Sequence, residues 1–228
     1  MTEAEWLAEC SVQRPLLRVM ARGSNRKLRL LACSACDRVR EYLINPNSLA
    51  ALDTLLSCPD WELGAESVDR AFRLAGSGVE FLREDASEQR WYRLYEMAAM
   101  AVGLGTGPRL SECLDSVLSA CRRARGLAAP LNDEHAVDEA EEHYQLLLLR
   151  DIFGNPFRPG TMYREWLTTT VTTLASQMYE SRDFGAMPIL ADALQDAGCD
   201  SDDILTHCRR PGPHVRGCWV VDLVLGKE

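Results

Sequence analysis

Apolar residues recur every three to four positions along almost the whole chain, and the strict alternation of a half-buried strand is nearly absent, so the pattern predicts helix from Thr2 to Leu225. Thr2-x-x-Glu5 is a capping box, hydroxyl to N3 amide and carboxylate back to the cap amide, and it opens a first short helix through Cys10. Pro15 suits the first turn of a second helix, which Gly23 stops in the left-handed conformation. From Ser24 onward, Leu28, Leu31, Ala32, Ala35, Val39 and Leu43 share one face and arginines occupy the other, until Asn45-Pro46 breaks the run. Asn47 caps the next helix, which carries Leu49, Leu52, Leu55 and Leu56.

Further helices are expected over Glu62–Ala75, Ser87–Leu104 and Pro108–Arg125, each with apolar i, i+3, i+4 repeats and a glycine near its end. Asp133 caps Glu134–Phe153, whose first turns are acidic, as the helix dipole favours. Thr161 opens a helix through Arg182, Pro188 sits at N1 before Ile189–Ala197, and Gly198 follows as its C′ residue. Cys218–Leu225 suits a strand through Val220, Val221 and Val224, but it has no partner strand and reads as helix. The expected fold is therefore all-α, a compact orthogonal array of about ten short helices, of which degenerate HEAT-like helix pairs are one form. It forms a single helical domain over residues 1–228, with 184–226 as a sub-unit at its C-terminal end.

Composition narrows the function classes. The 228 residues are 46% hydrophobic and 26% charged, as in a globular protein, and the net charge of −9 argues against general nucleic-acid binding, which rests on clustered Lys and Arg. No apolar run reaches the roughly 18–20 residues that cross a bilayer, so no membrane partner is expected. The acidic Met1–Glu5 start is unlike a secretory leader, and nine cysteines without disulfide-framework spacing fit a cytoplasmic location with reduced thiols. One segment runs against the overall charge. Arg14 to Arg40 holds eight basic residues and one acid, Asp37, and its expected role is to pair with the acidic helices around Glu134–Glu142 and Asp192–Asp203, or else to bind an acidic or phosphate-bearing partner.

Candidate chemistry gathers near the C-terminal end. Cys199, His207, Cys208, His214 and Cys218 are ligands of structural-zinc type. His214 and Cys218, four apart, would share one side of a helix that His207 or Cys208 approaches from the preceding helix and Cys199 from the loop before it. Packing is the competing account: the cysteines in the core, His214 bonded to a turn carbonyl, and Trp219 burying the largest apolar area of the block. Cys33 and Cys36 spell CxxC, yet they stand beside the Leu31, Ala32 and Ala35 stripe without a second pair, which reads as core. The acids Asp192, Asp196, Asp200, Asp202 and Asp203 lack calcium-loop spacing and read as a solvated face. Glu134, His135, Glu139, Glu142 and His143 lack the paired Glu-x-x-His of a di-metal bundle.

Asp151-Ile152-Phe153-Gly154-Asn155-Pro156-Phe157-Arg158-Pro159, followed by Pro188-Ile189-Leu190-Ala191-Asp192-Ala193-Leu194 and Pro213-His214-Val215-Arg216-Gly217-Cys218-Trp219, resembles an expanded paralogous family of planctomycetal bacterial proteins to which no activity is attached. Met1–Leu7 and Lys27–Cys36 resemble the same family. The resemblance implies one helical unit from a bacterial paralogue set and brings no catalytic residue or cofactor. Ser67–Asp133 lies outside the matching blocks, so partner or ligand specificity is expected there. Three functions follow: a non-enzymatic interaction or scaffold module with a protein partner, a small metalloprotein with zinc in the C-terminal block, and an enzyme using Asp, His214 and Arg216 of that block.

Overall fold

A computed structural model of the chain describes residues 1–57, 70–75, 89–106 and 110–227. Among these residues all regular structure is helical: α1 (Glu3–Ala8), α2 (Gln13–Arg22), α3 (Asn25–Asp37), α4 (Pro46–Ser57), α5 (Gln89–Thr106), α6 (Leu110–Ala128), α7 (Glu134–Phe153), α8 (Thr169–Ser181), α9 (Met187–Asp196), α10 (Asp202–Arg209) and α11 (Trp219–Leu225), with 3-10 turns at Arg40–Tyr42 and Arg164–Trp166. Residues 70–75 are helical as well. The all-α expectation holds, including at the valine-rich C-terminal segment. The rest of the expected Glu62–Ala75 helix, and the first residues of those expected from Ser87 and Pro108, lie outside the described residues.

Local chemistry explains the helix ends. Both arms of the Thr2/Glu5 capping box form, at 2.6 and 3.3 Å. The Ser24 and Thr168 hydroxyls accept from the N–H of Lys27 and Val171, each at 3.3 Å. Three expectations shift. The helix expected from Thr161 begins only at Thr169, after the 3-10 turn at Arg164–Trp166, because Thr168 supplies the cap. Gly23 is extended at φ −73°, not left-handed, and its N–H donates to the Val19 carbonyl. Asn45, not Asn47, starts α4: its side-chain oxygen accepts from the Asn47 N–H at 2.8 Å, and Pro46 takes the first helical position that its fixed φ favours. Gly198 and Gly226 do adopt left-handed φ, at +90° and +63°.

The chain divides into two compact units. One spans Cys10–Leu146; the other joins Met1–Glu9 to Leu147–Glu228, and so contains the whole 184–226 block.

In the Cys10–Leu146 unit, α3 lies against α6. Ala32, Ala35, Ala120, Cys121 and Ala124 are all buried, and such short side chains permit close helix approach. Cys33 and Cys36 are core residues, and Cys36 hydrogen-bonds Cys121 across the two helices. The basic segment is partly neutralised internally. Arg38 grips the buried Glu141 through Nε and Nη2 at 2.7–3.0 Å and stacks its guanidinium 3.6 Å from the Tyr144 ring centre. Arg40 pairs with Asp37 and Asp53.

In the other unit, α8, α9, α10 and α11 enclose a core that includes Trp166, Met178, Leu190, Leu194, Ile204 and Val221. Six-residue α1 is too short to hold itself and is fixed by docking. Arg150 of α7 donates to the Trp6 and Glu9 carbonyls at 2.6 and 3.0 Å, Glu3 meets both Asn155 and Arg158, and Trp6 is buried.

Candidate metal centre

The last turns of α7 carry Leu146, Leu148, Leu149 and Ile152, all fully buried, and in their midst a buried carboxylate, Asp151. An acid placed there needs partners, because burying an unpaired charge costs several kcal/mol. They come from two later segments. α10 turns Ile204 and Cys208 into the core and His207 toward Asp151. After α10, Pro211-Gly212-Pro213 leads into a turn closed by the Cys218 N–H on the Val215 carbonyl, with Gly217 at φ +96°. That turn, rather than the expected helical i, i+4 relation, brings His214 and Cys218 together. Cys218 then stands at the N-cap of α11.

The result is a tetrad. One ligand atom each from Asp151, His207, His214 and Cys218 lies within 4.8 Å of every other. Asp151 Oδ1 is 2.7 Å from His214 Nδ1 and 3.1 Å from His207 Nε2, and His207 Nε2 is 3.2 Å from Cys218 Sγ. The surrounding shell fixes the orientations. Asp151 Oδ2 accepts the Val215 N–H at 3.0 Å, which leaves Oδ1 facing the imidazoles. His214 Nε2 lies 3.3 Å from the Arg210 carbonyl oxygen, as the turn-carbonyl expectation had it. A carbonyl only accepts, so Nε2 carries a proton, and without a second proton on the ring Nδ1 would turn a lone pair toward Asp151. Two lone pairs at 2.7 Å require a positive species between them, either a proton or a metal ion.

The electrostatics agree with an ionised Asp151 and a neutral His207. Burial alone pushes Asp151 up, but the hydrogen bonds and charge of the two histidines outweigh it and hold the carboxyl below its ordinary value. Burial pushes His207 below its ordinary value, and Asp151 opposes this without cancelling it. The Cys218 thiol is driven well up by burial, with Asp151 adding, so it keeps its proton unless a cation displaces it.

Metal-free protein should therefore lose stability in acid in two stages. Both folded values are depressed, so the unfolded chain binds the extra protons. The first loss begins near the ordinary histidine pKa of about 6.5, as unfolded His207 takes up a proton that the folded residue refuses. Asp151 supplies stability above the ordinary carboxyl value of about 3.9, and this is lost as pH falls through its lower folded value. Urea midpoints measured in chelator that stay flat from about pH 8 to about pH 5 would contradict it.

The arrangement is no nucleophilic triad. Cys218 is fully buried, its thiol is raised, and sulfur and carboxylate meet the same imidazole nitrogen, whereas a triad uses the two nitrogens for the two partners. Arg216 is also accounted for: it donates to the Tyr179 carbonyl at 2.9–3.0 Å and spans the end of α8.

Other candidate residues are placed elsewhere. Cys199 and Cys208 sit in the apolar core outside the tetrad, and burial pushes the Cys208 thiol up to about 12. Asp192 pairs with Arg209 at 2.8 Å, while Asp196, Asp200, Asp202 and Asp203 are exposed. His135 and Glu139 form an exposed pair, and Glu142 meets Arg122 and Ser11. The reading of the sequence missed Asp151 as a partner. Its signal was an acid inside the run Leu146-Leu147-Leu148-Leu149-Arg150-Asp151-Ile152-Phe153, where every other neighbour but Arg150 is apolar.

Trp219 backs the site. It is half-buried rather than deeply buried, but its ring lies 5.1 Å from that of His207 and is covered at Gly154 and Gly160. A Cβ at Gly160 would stand 2.6 Å from Trp219 Cζ3 and 2.8 Å from Leu223 Cδ1. Gly160→Ala should cost about 1–3 kcal/mol, the range for overpacking, whereas Gly212→Ala, which meets open space, should cost little. Denaturant midpoints of the two variants check this contrast. No family model, no curated protein and no solved structure matches the chain.

Proposed function

We propose that the chain is a non-enzymatic helical interaction module whose Met1–Glu9/Leu147–Glu228 unit is fixed by a structural divalent cation of zinc type. The ligands are Asp151 Oδ1, His207 Nε2, His214 Nδ1 and Cys218 Sγ. One observation carries this: His214 Nδ1 faces Asp151 Oδ1 at 2.7 Å while its Nε2 is committed to a backbone carbonyl. Charge balance supports it, because a carboxylate, a thiolate and two neutral imidazoles offset a dication, leaving a buried centre with no net charge. The donor set of one sulfur, two nitrogens and one oxygen suits zinc. Tetrahedral zinc separates nitrogen from oxygen by about 3.3 Å and nitrogen from sulfur by about 3.5 Å, so binding requires the 2.7 Å edge to widen by about 0.6 Å and the 3.1 and 3.2 Å edges by about 0.2–0.3 Å. Four protein ligands on a buried site close the coordination sphere, as structural centres do.

Elemental analysis of protein purified without chelator should find one equivalent of zinc. Cobalt substitution should give tetrahedral visible bands and a sulfur-to-cobalt band in the near ultraviolet, the latter lost in Cys218→Ser. Protein that neither carries metal nor binds added zinc or cobalt would defeat the proposal and leave a proton-bridged Asp–His cluster in its place.

A further inference from the structure

The Cys10–Leu146 unit presents a trough with a distinct chemistry. Two cavities of about 560 and 590 Å³ meet along α6, sharing Ser119, Arg123, Leu127 and Glu134. The trough follows α6 from Asp115 to Leu127, about 18 Å at the helical rise. Among its mixed polar and apolar lining, Met97 and Met100 of α5 and Leu127 offer adaptable apolar surface. At its rim Leu131 is 77% exposed, the highest value for a large apolar side chain among the described residues.

The walls are acidic. Glu96, Asp115, Glu134 and Asp138 line the trough, and Asp133 through Glu142 contains six acids and no Lys or Arg. Two arginines also line it: Arg122, engaged with the wall residue Asp138 and with Glu142 at 3.2 and 2.9 Å, and Arg123, which both cavities share, so the four lining acids outnumber the lining cations by two. Apolar side chains among an excess of acids, along a stretch of α6 three helical turns long, are complementary to one kind of partner.

We propose that the trough binds an amphipathic helix of a partner protein, seating a leucine-type stripe on Met97, Met100, Leu127 and Leu131 while flanking Lys and Arg residues meet the acidic walls. This names the partner class for the interaction module proposed above, and because Cys10–Leu146 alone builds the trough, it stands or falls separately from the metal.

The test uses the full chain and three labelled peptides of about 12 residues, the length that fills the trough. One carries leucines on one face and lysines around them; the second replaces Lys by Glu; the third replaces Leu by Ser. Fluorescence anisotropy should show the Leu/Lys peptide binding at least about tenfold more tightly than either control, and weakening as salt rises from about 50 to about 300 mM. Met100→Lys and Leu131→Lys should each weaken it about tenfold, while Leu17→Lys, at an exposed leucine of α2 outside the trough, should leave it unchanged. Leu131 is a surface residue, so its variant folds even where the Met100 variant does not.

Three outcomes would overturn the proposal. A Ser/Lys peptide that binds as tightly as Leu/Lys would show the apolar surface to be idle. Equal effects of Leu131→Lys and Leu17→Lys would reduce the binding to general charge attraction. A wild-type dimer that Leu131→Lys converts to monomer would make a second copy the occupant.

Discussion

Stripping the proposed zinc from wild-type protein should lower the Tm by about 15 °C or more, and the same treatment should leave Asp151→Asn where it already stands. A ligand at about a thousand times its Kd stabilises the folded state by about 4 kcal/mol, and each kcal/mol moves the midpoint of a unit this small by about 4–8 °C. Asp151→Asn keeps the side-chain volume but removes the charge that balances the centre, and Asn is a poor partner for a dication. His214→Ala and Cys218→Ala should converge on the same chelator-insensitive midpoint, because each removes a ligand of one centre and losses within one centre do not add. Trp219→Ala should behave differently: it removes packing beside the ligands, so it should lower the midpoint while the protein still responds to chelator. Calorimetry of these variants with and without chelator reads all of this at once. Equal midpoints with and without chelator in the wild type would mean that a proton, not a metal, joins Asp151 to His214.

The second large effect belongs to the Cys10–Leu146 unit. Arg38→Met should cost about 3 kcal/mol and Glu141→Gln about half as much, although both break the same pair. The asymmetry follows from burial: Glu141 is 2% exposed and Arg38 is 28% exposed. Without Arg38, a buried carboxylate is left, among the described residues, with Arg125 at 3.6 Å. Without the Glu141 charge, the two arginines can turn to water and the glutamine still offers an acceptor. Denaturant unfolding of both variants measures the difference, and equal costs would mean that the carboxylate has another source of stabilisation.

The helices were legible because local interactions write them. Thr2 and Ser24 precede apolar stripes, and their hydroxyls cap the amides that begin each helix, whereas the helix expected from Thr161 starts behind Thr168, eight residues later. Where a glycine or asparagine had two local options, at Gly23 and at Asn45 against Asn47, the chain took the one that periodicity does not rank. At the centre, His207, His214 and Cys218 were readable as residue types, since few side chains bind metals. Their partner was not, because Asp151 is 56 residues before His207 and no local pattern records which distant helix end will face a turn. Cys199 and Cys208 have the right chemistry in the right stretch but point into the core. Orientation about the axis of a short helix decides that, and adjacent residues such as His207 and Cys208 necessarily face different neighbours.

The union of Met1–Glu9 with Leu147–Glu228 carries a consequence for synthesis on the ribosome. Chains emerge from their N-terminal end, so Trp6 leaves the exit tunnel long before Arg150, Asn155 and Arg158, the residues that hold α1, have been made. In that interval all of Cys10–Leu146 has been translated and can begin to fold, while α1, too short for stable helicity, waits with its tryptophan uncovered. The closing step spans more than a hundred residues, yet loop closure costs only about 0.6 kcal/mol per doubling of length, so the delay is set by translation rather than by chain entropy. A segment made before its partners is thus among the last to find its place.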